Sequence, residues 1–152
     1  MLVKIMSVFN CDSGELFNEV KKTKSLIYIG KPLVKFVQLP KHPLPEVWEE
    51  GKFLIKMYIL GFIPFGKQWI VISVDNDNKH IRDNGYSKLM KKWDHNIYLK
   101  DIGNNKTLYA DTVDIDAGIL TPFIVLFANI FYRLRQKRWS KLINNKFNYD
   151  ID

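Results

Sequence analysis

The chain has a single cysteine, Cys11, in 152 residues, so no intrachain disulfide forms and a secreted, disulfide-stapled scaffold is excluded. Taken with the first predicted strand segment, Cys11 reads as a buried, inert thiol. The opening Met1-Leu2-Val3-Lys4-Ile5-Met6 runs quickly into polar Asn10, Asp12 and Ser13, without the charged start, apolar stretch and cleavage site of a signal peptide. A cytoplasmic protein is expected. Internal repeats and low-complexity tracts are also missing, which leaves one domain over residues 1–152. That length is enough to bury about two-thirds or more of the unfolded surface. The three histidines, His42, His80 and His95, fall on separate predicted elements without metal-ligand spacing, so neither a metal nor a cofactor is expected. The apolar run from Ile119 to Phe131 falls short of the roughly 20 residues a bilayer span needs, and Thr121, Pro122 and Asn129 interrupt it.

What the chain does have is an excess of positive charge, +7 at neutral pH. The cations are scattered. The densest group, Arg133, Arg135, Lys137, Arg138 and Lys141, sits where a helix C-terminus favours positive charge, and it reads as a solvated helix end. No nucleic-acid motif accompanies it, so no nucleic-acid partner is expected. Peripheral contact with a membrane stays open as an alternative, and no obligate protein partner is predicted.

Val3 to Phe9 alternates as a first strand. Asp12 precedes Glu15 by three residues and caps a short helix carrying Leu16, Phe17 and Val20 and ending near Thr23. A second short helix, Ser25 to Ile29, is stopped by Gly30 and Pro32. Val34 to Leu39 reads as strand two, after which Pro40, Pro43 and Pro45 forbid regular structure as far as Trp48. Five further strands follow: Phe53 to Leu60, Gln68 to Val74, His80 to Ser87, Trp93 to Ile102 and Lys106 to Ile115. Their short connections demand antiparallel pairing, since parallel neighbours need a crossover of about a dozen residues. Thr121 as N-cap and Pro122 in the first turn start a helix running to about Asn144. The fold class is therefore α+β: a seven-stranded antiparallel sheet, two short helices after strand one, and a long C-terminal helix.

That order resembles the helix-grip fold, in which the sheet wraps the terminal helix, and the chain is similar to the START-like superfamily of lipid-transfer domains, birch pollen allergens and polyketide cyclases. The segments Leu44-Pro45-Glu46-Val47-Trp48-Glu49-Glu50-Gly51, Trp93-Asp94-His95, Tyr109-Ala110-Asp111 and Arg135-Gln136-Lys137-Arg138-Trp139 look like an uncharacterised bacterial, ligand-binding branch of it. The resemblance implies a cavity between sheet and helix that holds a hydrophobic or amphipathic small molecule.

Alternation places Trp93, His95, Ile97 and Leu99 on one strand face, and it places Tyr109, Asp111, Val113 and Ile115 together on the next strand. A three-residue loop at Gly103, Asn104 and Asn105 pairs Ile102 with Lys106. Ile97 then lies opposite Asp111, and His95 lies opposite Val113. His95 and Asp111 become diagonal neighbours, roughly 7–8 Å apart along the backbone. A carboxylate there fixes the imidazole tautomer and raises its pKa, as a general base needs. His95 and Asp111 are thus the catalytic candidates of a cofactor-independent cyclase or isomerase, set against a structural or ligand-orienting pair.

On the terminal helix, Phe127, Phe131, Leu134 and Arg138 form the row assigned to the sheet side. An inward arginine either binds a ligand carboxylate or pairs with Asp111, Asp114 or Glu50. The expected ligand-binding residues are Trp93, His95, Ile97, Tyr109, Asp111, Val113, Phe127, Phe131 and Arg138. Trp139 reads as a core plug. The proline loop ending in Trp48 is either a gate over the cavity or a rigid corner. Phe62, Pro64 and Phe65 in the next turn are exposed-aromatic candidates for the opposite rim, with ordinary core packing as the preferred reading. A third class, a protein or membrane interaction module, requires a cavity filled by side chains.

Overall fold

Alternating apolar residues and glycine-marked turns carry the chain into one curled sheet. The computed structural model describes residues 1–150. In it, β1 (Leu2–Phe9) leads to α1 (Ser13–Val20) and α2 (Thr23–Gly30), followed by β2 (Val34–Gln38) and β3 (Gly51–Ile59). β4 (Ile63–Asp75), β5 (His80–Ser87), β6 (Lys92–Asp101) and β7 (Thr107–Asp116) complete the sheet. A 3-10 turn, Gly118–Leu120, then enters the long α3 (Thr121–Asn144). The strand order is β1-β7-β6-β5-β4-β3-β2, and every pairing is antiparallel. The expected architecture is present, with α1 and α2 interrupting the sheet after β1 and α3 in its concave face.

α3 is held by one stripe. Ala128, Phe131, Tyr132, Arg135, Gln136, Trp139 and Leu142 are buried, at steps of three and four that keep one side of a helix on its neighbour. Phe131 and Tyr132 join Val3, Val113 and Ile115 in one apolar cluster. Trp139 and Leu142 join Phe9, Leu16 and Tyr109 in the other. Trp139 is fully buried, with its ring centroid 6.4 Å from that of Tyr109.

Several local expectations need correction. Cys11 lies beyond β1, in the bend before α1. It is buried, and burial followed by the nearby Glu15 pushes its thiol up to about 11. Asp12 caps α1 as expected, its Oδ1 accepting from the backbone N–H groups of Gly14 and Glu15 at 2.9 Å each. Thr121 does not cap α3. Its hydroxyl accepts from Ala117 N and donates to Gly118 O, fastening the 3-10 turn, and Leu120 takes the cap position.

β4 begins earlier than expected because a bulge between Met57 and Tyr58 absorbs one residue opposite, so Pro64 and Gly66 stay within the strand. Phe62 lies in the β3–β4 turn and is 73% exposed, against the expected core packing. There Leu60 and Gly61 both have positive φ, and this tight turn projects the following side chain outward.

Candidate functional site

The β6–β7 register forms as the Gly103 loop requires. Ile102 N donates to Lys106 O, Ile97 faces Asp111, and His95 faces Val113. His95 and Asp111 are both buried, and His95 Nε2 lies 2.8 Å from Asp111 Oδ1.

Asp111 is the centre of a closed network. Its Oδ1 also accepts from the Tyr109 hydroxyl at 3.2 Å, and Arg135 Nε approaches that oxygen at 3.7 Å. Its Oδ2 accepts from Gln136 Nε2 at 3.0 Å. Gln136 Nε2 also donates to Ile5 O, and Gln136 Oε1 accepts from Ser7, so the network ties β1, β6 and β7 to α3. Burial alone would lift the Asp111 carboxyl, but Arg135, His95 and Gln136 together hold it below its ordinary value. For His95 the balance differs from the sequence-based expectation. Burial, aided by the Arg135 charge, lowers the imidazole pKa and outweighs the Asp111 hydrogen bond that raises it. The neutral ring donates Nε2–H to Asp111 and keeps Nδ1 as its acceptor.

Beside this network lies a cavity of about 80 Å³ between the sheet and the helices. Ile70, Ile72, Ile81 and Ile97 of the sheet meet Phe131 and Tyr132 of α3 around it, and Gln68, Asp83, His95 and Arg135 form its polar part. Asp83 stands directly opposite His95 on β5. The β4–β5 ladder skips Ile70 and Val71, and within that gap Asp83 Oδ1 accepts from Val71 N at 2.9 Å. Burial pushes the Asp83 carboxyl up to about 7, against the pull of Val71 N–H and of Arg135. Gln68 Oε1 and Arg135 Nε are buried without a hydrogen-bond partner among the described residues. Gly85 keeps this corner open, since a Cβ there would meet the Trp69 carbonyl at 2.8 Å and Asp83 Oδ1 at 3.0 Å.

Of the residues assigned to ligand contact from sequence, Trp93, His95, Ile97 and Phe131 line the cavity. Asp111 stands behind His95. Tyr109 packs in the core beside Phe9 and Trp139, and Val113 packs with Val3 and Phe131. Phe127 is half-buried and stacks on Phe131. Arg138 does not reach the cavity: its Nε donates to Tyr28 O, and its guanidinium lies 4.3 Å from the centroid of the Tyr28 ring. At 3.6 residues per turn the row through Leu134 and Arg138 drifts towards α2, whereas Arg135 stays over the sheet. Arg135 is therefore the inward arginine, and the basic cluster is not wholly solvated.

Sequence reasoning missed Asp83 and Gln68. Both lie in phase with inward isoleucines, Asp83 with Ile81 and Gln68 with Ile70 and Ile72, and that phase was the available signal.

Trp48 is buried against Phe53 and lines the cavity. Its N–H donates to Lys21 O, while Thr23 N and Thr23 Oγ1 donate to Glu46 O and Pro45 O. These bonds fasten the proline loop to the α1–α2 corner and favour a rigid corner over a gate. Among the described residues no group of three or more His, Cys, Asp or Glu side chains is placed to hold a metal.

No protein-family model matches the sequence, and no curated protein does. Solved structures do match in shape. A protein of Chromobacterium violaceum superposes with a TM-score of 0.69 at 8% identity, over 93% of this chain and 96% of that one. A START superfamily protein of Mycobacterium smegmatis gives 0.62 at 10% identity, over 95% and 97%. The Zhui aromatase/cyclase of a Streptomyces species gives 0.64 at 10% identity, over 97% and 93%. The fold is thus the helix-grip fold that these structures share, and identities this low speak to fold alone.

Proposed function

We propose that the protein binds a compact amphipathic molecule between the sheet and α3, with its apolar body against the isoleucines and Phe131 and its polar end at Gln68, Asp83, His95 and Arg135. The observation that carries this reading is the hydrogen-bonding capacity left over at Gln68 and Arg135 in a largely apolar cavity. A cavity of about 80 Å³ suits a small ligand better than a long acyl chain. Cytoplasmic action is part of the same reading.

A comparison of native and denatured mass on purified protein tests it. A defined small-molecule adduct, lost in Ile81→Phe, which fills the cavity, is the expected result. A clean mass, together with no thermal stabilisation by any compound of a carboxylate and lipid-like panel, rejects it.

A second reading is favoured by one observation. Neutral His95, its tautomer fixed by Asp111 and its ring at the cavity wall, has the form of a general base for proton abstraction in a cyclase or isomerase. Under that reading His95→Gln retains binding and abolishes turnover of the extracted ligand; unchanged turnover rejects the catalytic role.

A further inference from the structure

The outer side of α3 has a pattern that the cavity does not use. Ile119, Phe123, Leu126 and Ile130 follow at steps of four, three and four, and they are 91%, 73%, 63% and 54% exposed. They form one apolar stripe along the first half of the helix and the turn before it. The same line continues through Arg133, Lys137 and Lys141, all exposed and without an ion pair among the described residues. Arg133 and Lys137, with Ser140, also form one wall of an open groove whose other wall is edge strand β1, including exposed Met6 and Val8.

From this arrangement we infer that α3 docks the protein on an anionic lipid bilayer, with the apolar stripe entering the headgroup boundary and Arg133, Lys137 and Lys141 meeting lipid phosphates. An apolar helical face beside unpaired cations matches such a surface in both hydrophobicity and charge. An exposed apolar stripe this continuous is uncommon on a surface that meets only water. α3 with its leading turn is long and apolar enough to cross a membrane by length and composition. However, its inner face carries buried Arg135 and Gln136 on the sheet, so the fold stays intact only if the helix lies on the surface. The Leu60–Phe62 turn follows directly on Ile59, which packs in the same cluster as Ile124 and Phe127. Exposed Leu60 and Phe62 thus add apolar surface near the same end of α3. This inference is independent of what fills the cavity.

Co-sedimentation with vesicles of phosphatidylcholine alone, or of phosphatidylcholine with phosphatidylglycerol, tests it. The wild-type chain is expected on the phosphatidylglycerol vesicles and not on the neutral ones, with binding that falls as salt rises. Phe123→Glu with Leu126→Glu should weaken partition at least about tenfold. Arg133→Gln with Lys137→Gln should weaken it about thirtyfold, since each cation near such a surface contributes about fivefold. All four positions are solvent-facing, and unchanged circular dichroism and melting temperature establish that the variants fold. Wild-type protein left in the supernatant at low salt overturns the inference, as does binding that neither variant alters. A dimer dispersed by the Phe123 and Leu126 changes, with no vesicle binding, assigns the stripe to a second copy of the chain and also overturns it.

Discussion

Two carboxylates face the interior of the sheet, and their surroundings could hardly differ more. Asp111 accepts from His95, Tyr109 and Gln136, has Arg135 beside it, and is held ionised. Asp83, across β6 from it, has one hydrogen-bond partner among the described residues, the Val71 amide, and is raised to about 7. The difference separates a joint from a site. A buried carboxylate whose lone pairs are all engaged holds elements together, while one left half-satisfied beside a cavity can still accept or release a proton.

The sharpest break of this contrast is Asp111→Ala. It leaves Arg135 charged and buried without its counter-ion and frees Gln136, and it should cost about 3–5 kcal/mol in urea unfolding. A loss below about 1 kcal/mol would show that the network is not a joint.

Asp83→Asn should act through pH. A carboxyl raised in the folded state contributes stability at acidic pH that is lost as pH climbs from about 4 to about 7. The wild-type stability minus that of the variant should therefore fall across that window, by on the order of 1 kcal/mol or more. A flat difference would place Asp83 with the ordinary surface acids. Asp111 has the opposite sign, its contribution being present at neutral pH and lost on acidification below about 4.

Two outer carboxylates calibrate the inner pair. Asp12→Ala removes the α1 cap and should cost about 1 kcal/mol of chemical stability; an unchanged denaturation midpoint would deny the cap its role. Asp94→Asn breaks the two-bonded pair with Arg82 on the outer face and should cost only about 0.5 kcal/mol. A larger loss would mean that surface pairs in this sheet matter more than their exposure suggests.

The frame of the fold was legible because strand alternation and turn residues are local signals. His80–Ser87 forms the strand its alternation predicted, and the Gly103-Asn104-Asn105 turn alone set the register that brings His95 to Asp111. The rotation of α3 about its axis was not legible to better than about one residue step. Arg135 and Arg138 sit three positions apart, and only packing against both the sheet and α2 decides which of them turns inward. Asp83 escaped notice for a related reason. A polar residue in an inward phase looks like an exception to the pattern, yet exceptions of this kind are where a cavity acquires its chemistry. The direction of the His95 shift was hidden as well, because it depends on how dry the site is and not on who the neighbour is.

The gap in the β4–β5 ladder has a spectroscopic consequence. Within the stretch that the ladder skips, Val71 N–H is satisfied by a titrating side chain. Its amide resonance should therefore move with the protonation of Asp83, and its deuterium exchange should change when a guest takes that carboxylate as a partner. One backbone amide thus serves as a built-in gauge of the cavity's occupancy, readable without an assay for a reaction.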